Sequence, residues 1–141
     1  MKTIRFFGVA LLSVLLSVSL SACSSSDDDE NQSNPLIGTW EMTDIDGDYY
    51  TVELKADGSC FQIEYEGTTD EIDRSYKGSY KILSVNGNTY EVSFFIKEIY
   101  RKRKGNETVN ETQTGFLTLS DNNNTMTMSS SGKIDIWKRK K

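Results

Sequence analysis

From residue 38 onward the chain is punctuated by glycine at close intervals. Glycines stand at 38, 47, 58, 67, 78 and 87, with gaps of nine and eleven, and recur at 105, 115 and 132. Between them the residues alternate apolar and polar with period two, and β-branched and aromatic types dominate. Such short alternating runs between turn residues are the signature of antiparallel strands. The pattern predicts eight strands, over 39–45, 49–55, 59–66, 75–84, 89–100, 112–120, 124–129 and 133–138. Asp46-Gly47, Asp57-Gly58, Asn86-Gly87 and Ser131-Gly132 read as hairpin turns. Asp121-Asn122-Asn123-Asn124 reads as a longer polar turn. Gly78 falls inside an alternating run, so it is expected to mark a bulge or a close backbone approach. The only proline, Pro35, precedes the first strand, and no helical stripe follows it.

The alternation assigns one face to the core. It holds Trp40 and Met42; Tyr50, Val52 and Leu54; Phe61, Ile63 and Tyr65; Tyr76, Tyr80 and Ile82; Tyr90, Val92, Phe94 and Ile96; Leu117 and Leu119; Met126 and Met128; and Ile134 and Ile136. One apolar and one polar face across eight sequential strands suit an all-β, eight-stranded antiparallel up-and-down barrel. Closure also removes exposed strand edges. Periodicity alone leaves a two-sheet sandwich as the alternative.

The segment "PLIGTWEM" (35–42), with Gly38 and Trp40, and the closing "KIDIWKRK" (133–140) resemble the small lipocalin-like domains of bacterial surface lipoproteins. The resemblance covers about 36–138. It implies a barrel whose Trp40 end is plugged, with Lys138 or Arg139 packing a cation over the indole face. The middle motif of the larger, vertebrate-type lipocalins has no counterpart. Tyr65, Tyr76, Tyr80 and Tyr90 are expected to point inward near a wet mouth at the opposite end, where a small ligand would be held. The same rings filling the barrel is the competing expectation.

The N-terminus reads as an address. Lys2 and Arg5 open it, an apolar run follows from Phe6 to Ser19, and Leu20-Ser21-Ala22-Cys23 closes it. That order defines a cleaved secretory signal over 1–22. Leu-Ser-Ala-Cys resembles the bacterial lipobox, which implies a diacylglyceryl group on Cys23. Each buried methylene adds about 0.8 kcal/mol, and two chains suffice for stable anchoring. Ser26, Asp27, Asp28, Asp29 and Glu30 resemble the acidic surface-export signal of one phylum of Gram-negative bacteria. Residues 23–35 are expected to be a disordered acidic tether, reaching at most about 45 Å. The expected location is the outer membrane, lipid-anchored through Cys23 and facing the exterior. Residues 36–138 form the expected domain and 139–141 a basic tail.

Composition excludes several chemistries. Histidine is absent, which removes histidine triads, histidine general bases and nearly all zinc sites. The formal net charge of −5 becomes more negative once Lys2 and Arg5 leave, so nucleic acid is not an expected partner. With Cys23 acylated, Cys60 has no partner in the chain and reads as a small buried apolar residue. Asp44-Ile45-Asp46-Gly47-Asp48 hints at calcium, but Tyr49 and Lys55 stand where an EF-hand loop needs glycine and glutamate. A hairpin tip is the simpler reading. Arg101-Lys102-Arg103-Lys104 opens an expected polar loop reaching about Glu111, suited to an anionic partner such as lipopolysaccharide or an acidic glycan, or simply solvated. Glu64 and Glu66 are spaced as a solvent face, not as a glycosidase pair. The chain is therefore not expected to be an enzyme, and neither cofactor nor metal is expected. Two functions compete: a binding domain for a small apolar or amphiphilic ligand, and an accessory lipoprotein that docks on an envelope or uptake complex.

Overall fold

The computed structural model describes residues 34–67 and 70–141. These form eight strands: β1 (Gly38–Thr43), β2 (Tyr49–Leu54), β3 (Ser59–Tyr65), β4 (Ile72–Asn86), β5 (Thr89–Arg101), β6 (Gly105–Ser120), β7 (Thr125–Ser130) and β8 (Lys133–Arg139). Each pairs antiparallel with its sequence neighbour, and β8 returns to β1, so the sheet closes as an up-and-down barrel. The barrel alternative is the one the chain adopts. The expected signal, Cys23 and the acidic segment at 26–30 lie outside the described residues.

The closing seam is short. Trp40↔Arg139 and Glu41↔Lys138 pair across it, followed by one amide bond from Lys140 to the Thr39 carbonyl at 2.9 Å, whereas β4 and β5 pair along almost their whole length. Side chains compensate for the missing ladder. The Arg139 guanidinium lies 4.2 Å from the centre of the Trp40 ring. Its Nη1 donates to the Ile37 carbonyl at 2.9 Å, Nη2 to the Pro35 carbonyl at 2.6 Å, and Nε to the Asn123 carbonyl at 2.9 Å. Trp40 itself is fully buried, and its Nε1 donates to the Leu36 carbonyl at 3.0 Å. Gly38 is required beside them. Its φ is +137°, and a Cβ there would sit 2.7 Å from Arg139 Nη1. Of the two expected cations, Arg139 takes the place over the indole. Lys138 points outward and donates to Thr125 Oγ1 at 2.7 Å. Arg139, expected at the start of a basic tail, instead ends β8, because its four partners draw it onto the barrel end. Residues before 36 likewise take part in this end, with Asn34 Oδ1 accepting from the Leu36 amide at 3.0 Å.

The dry core gathers at this end. Leu36, Trp40, Leu54, Val92, Leu117, Leu119, Met126 and Trp137 are buried together. Two strands present the face opposite to the one expected. In β3, Cys60, Gln62 and Glu64 stand across from Leu54, Val52 and Tyr50 and so point inward, leaving Phe61, Ile63 and Tyr65 outside. The Lys55–Ser59 hairpin fixes this parity, since a one-residue change in register moves every side chain to the other face. In β8, Asp135 and Trp137 stand across from Met128 and Met126. Ile134 and Ile136 are therefore exposed. The large Trp137 ring offers more apolar area to bury than isoleucine does, and Arg139 must share its face to reach Trp40.

The sheet also extends further than expected. β4 begins at Ile72, and β6 begins at Gly105 after a turn of three residues, not after a loop to Glu111. The segment 105–112 is polar on both faces, so it carries no alternation, yet it pairs with β5 through Ile96↔Glu111, Ile99↔Glu107 and Arg101↔Gly105. Gly78 is both a bulge and a close approach. The register shifts between Lys77 and Gly78, and a Cβ would lie 2.0 Å from the Phe95 carbonyl oxygen.

Two substitutions test the plug. Trp40→Ala should lower the unfolding free energy by about 3–5 kcal/mol in chemical denaturation. Gly38→Ala, which strains the backbone and displaces Arg139, should cost about 1–3 kcal/mol. Parent-like stability of both variants would show that the seam does not depend on this cluster.

Candidate functional site

Beyond the dry core the barrel interior is not filled. A cavity of about 240 Å³ is lined by Val52, Cys60, Gln62, Tyr76, Phe94, Ile96, Gln113 and Met128, with Lys77 and Gly78 at the β4 bulge. Six strands contribute, so closure of the barrel creates the site. Its walls combine aliphatic and aromatic groups with two primary amides and one phenol. That mixture suits a partly apolar molecule with one or two hydrogen-bonding groups. An eight-stranded barrel has room for one small ligand at most.

The four tyrosines expected around a ligand are not gathered there. Tyr76 alone lines the cavity, and its hydroxyl accepts from Arg74 Nη1 at 3.3 Å. Tyr80 packs toward the dry end, tilted against Phe94 with ring centres 6.5 Å apart, and its hydroxyl donates to the Lys55 carbonyl at 2.8 Å. Tyr90 stands across from Leu117 and packs on the core cluster. Tyr65 is on the outer surface, 5.4 Å from Tyr49 ring to ring, because β3 has the opposite parity. Gln62 and Gln113 were missed. A glutamine in an alternating strand reads as solvent-facing, and only the strand register reveals that these two face inward.

Between the cavity and the open end lies a polar layer. The Tyr50 hydroxyl is 3.1 Å from Asp44 Oδ2 and 3.5 Å from Glu64 Oε1. Burial, followed by the nearby Glu64 and Asp44 charges, holds that phenol in its protonated form well above the usual range. Arg74 Nη1 lies 3.9 Å from Glu64 Oε2. Arg74 Nε in this layer, and Trp137 Nε1 in the core at the sealed end, are buried with no protein acceptor among the described residues.

The open end is braced by charge. Lys102 Nζ donates to Glu66 Oε2 at 2.7 Å and also to Glu71, and its backbone amide donates to the Asp73 carbonyl at 2.9 Å. These contacts tie the β5–β6 turn to the β3–β4 connection. The hydrogen bonds to Glu66 and Glu71 push the Lys102 pKa up, and the bond from Lys102 holds the Glu66 carboxyl below its usual range. Arg101 pairs with Glu107. Two of the four cations in 101–104 therefore serve the fold. At the neighbouring hairpin tip, Asp44 Oδ1 accepts from the amides of Asp46 and Asp48 at 3.0 and 2.9 Å, spending that carboxylate on the turn. Among the described residues no cluster of histidine, cysteine, aspartate and glutamate is arranged to hold a metal.

No protein-family model, curated protein or solved structure matches this chain.

Two measurements probe the site. Burial pushes the Cys60 thiol above its ordinary pKa, so the nucleophilic thiolate is scarcer than in a free cysteine at the same pH. In a Cys23→Ser background, alkylation of Cys60 should be slower than for a model thiol, accelerate only above the ordinary thiol range, and slow further when the cavity is occupied. Alkylation as fast as a free thiol would mean that the cavity wall is not as described. The brace titrates in the opposite sense. A depressed carboxyl pKa favours the fold above its unfolded value and loses that contribution as pH falls through the folded one. Amide hydrogen exchange in the β5–β6 turn should therefore rise below about pH 4 relative to the dry end. A turn equally protected across that range would show that the brace is inert.

Proposed function

We propose that this chain is an outer-membrane-anchored surface lipoprotein whose lipocalin-like domain binds one small apolar or amphiphilic ligand. The single observation that carries the binding reading is the cavity inside the closed barrel. One end of the barrel is sealed by Trp40 and Arg139, so a ligand enters from the end bearing the polar layer. Its apolar part packs on Phe94, Ile96, Val52 and Met128, and its polar part meets Gln62, Gln113 and Tyr76. The binding role needs no proton transfer or nucleophile. The anchor reading rests on Leu-Ser-Ala-Cys at 20–23, and the surface reading on the acids at 27–30.

Native mass spectrometry of the protein purified from its own host should reveal a retained small molecule. Gln113→Trp, at an exposed inward position, should block the mouth and abolish retention while leaving the barrel intact. If the parent carries no adduct and binds no member of a small amphiphile panel, the binding reading fails. Cys23→Ala should yield an unprocessed or soluble species, and its persistence in the outer membrane after a high-salt wash would place the anchor elsewhere. Replacing Asp27, Asp28, Asp29 and Glu30 with alanine should reduce protease accessibility on intact cells at constant outer-membrane abundance. Unchanged accessibility would reduce the segment to a spacer.

A further inference from the structure

The outer face of β6–β8 carries an apolar group that the fold does not use. Phe116, Ile134 and Ile136 are 49%, 69% and 59% exposed. They share one outer face: Ile134 and Ile136 are successive outward residues of β8, and Phe116 lies two strands away with Ser129 between it and Ile134. The other outward positions of these paired segments are Ser and Thr, with Lys138 at the sealed end. No carboxylate stands among them, in a chain with 21 acidic residues. Lys141 ends the chain just beyond β8, while Lys140 turns aside to the Tyr49 hydroxyl at 3.5 Å. On the flanking strands Glu91 stands across from Phe116 and Glu41 across from Lys138, so the face is apolar at its centre, uncharged along β7, and carries Lys138 at the sealed end. Contiguous exposed apolar side chains of this kind mark an interaction surface.

The position of the tether identifies the occupant. The described chain starts at Asn34, and Pro35 is bonded directly to Arg139 at the end of β8. Ile136 lies three residues back along that strand and Ile134 five, or about 10 and 17 Å from the exit point at strand rise. The segment from Cys23 to Asn34 spans at most about 40 Å. A surface holding Cys23 is therefore within reach of this face.

We infer that the β6–β8 face rests on the lipid surface to which the chain is tethered, with Phe116, Ile134 and Ile136 entering the interfacial layer and Lys138 and Lys141 meeting anionic headgroups. This rests on the lipoprotein reading above. Apolar burial and basic flanks act together at such interfaces. The contact orients the barrel by a second attachment besides the lipid.

The test uses the mature chain from residue 23 with Cys23→Ser, which keeps the tether but carries no lipid. In co-sedimentation it should bind phosphatidylcholine vesicles weakly and bind more tightly when phosphatidylglycerol is included. Combining Phe116→Thr, Ile134→Thr and Ile136→Thr should weaken the partition about tenfold or more, since two or three apolar side chains no longer leave water. Threonine keeps the β-branch of the two isoleucines and favours strand at position 116, and circular dichroism checks the fold. If the triple variant misfolds, Ile134→Thr alone, at the most exposed position, should still weaken binding measurably. Absence of vesicle binding, or binding indifferent to these substitutions, overturns the inference. So does a parent that dimerises through these residues instead, returning to monomer in the variant. Failure of the anchor itself is read separately, by fractionation of Cys23→Ala in cells.

Discussion

The stacked pair of Trp40 and Arg139 holds the barrel shut. Backbone pairing alone joins β1 to β8 at two positions and one further amide bond, which is little for the strands that must close a sheet. The guanidinium adds three hydrogen bonds to carbonyls in the N-terminal segment and the β6–β7 turn, and covers the indole face besides. A lysine in this place would bring one compact charge and no planar fork. Everything inside depends on this clasp. The dry core at Leu36, Leu54, Leu117 and Leu119 is enclosed only because the seam is, and the cavity beyond it, lined by β2 to β7, keeps its curved wall for the same reason.

The arrangement of strands was legible because glycine spacing and alternation are local signals. All eight strands and their order follow from them, and so does the special role of Gly78. Parity was less legible. In β3 the sequence offers Phe61, Ile63 and Tyr65 on one side and Cys60, Gln62 and Glu64 on the other, and hydrophobicity alone picks the wrong set. The β2–β3 hairpin decides instead, through the Leu54↔Cys60 register. The outward trio is still half-covered, Tyr65 by Tyr49 among others, so the apolar residues are not wasted. In β8 both faces hold apolar residues, and the single Trp137 outweighs two isoleucines.

The site was the least legible part, for a related reason. A cavity that takes a polar group needs inward polar side chains, and in a strand pattern these look like solvent contacts. Gln62 and Gln113 could be found only by tracing register around the barrel. The tyrosines misled because an aromatic residue announces burial but not depth along the strand. Tyr80 and Tyr90 are interior, as alternation implied, yet they belong to the sealed half and Tyr76 alone reaches the cavity.

The two-pair seam bears on how the barrel assembles. Seven of its eight strand pairings join neighbours in sequence, so each is a hairpin that forms over short loops. The eighth joins Trp40 to Arg139 across nearly the whole domain, and it is also the least supported by backbone hydrogen bonds. Loop-closure entropy places that contact last, after the hairpins have brought the two ends together. The curved ribbon that precedes it presents two unpaired edges, β1 and β8, to any neighbouring chain. The basic residue over the indole therefore acts as the final latch of folding, and the interval before it engages is when the chain is most open to misassociation.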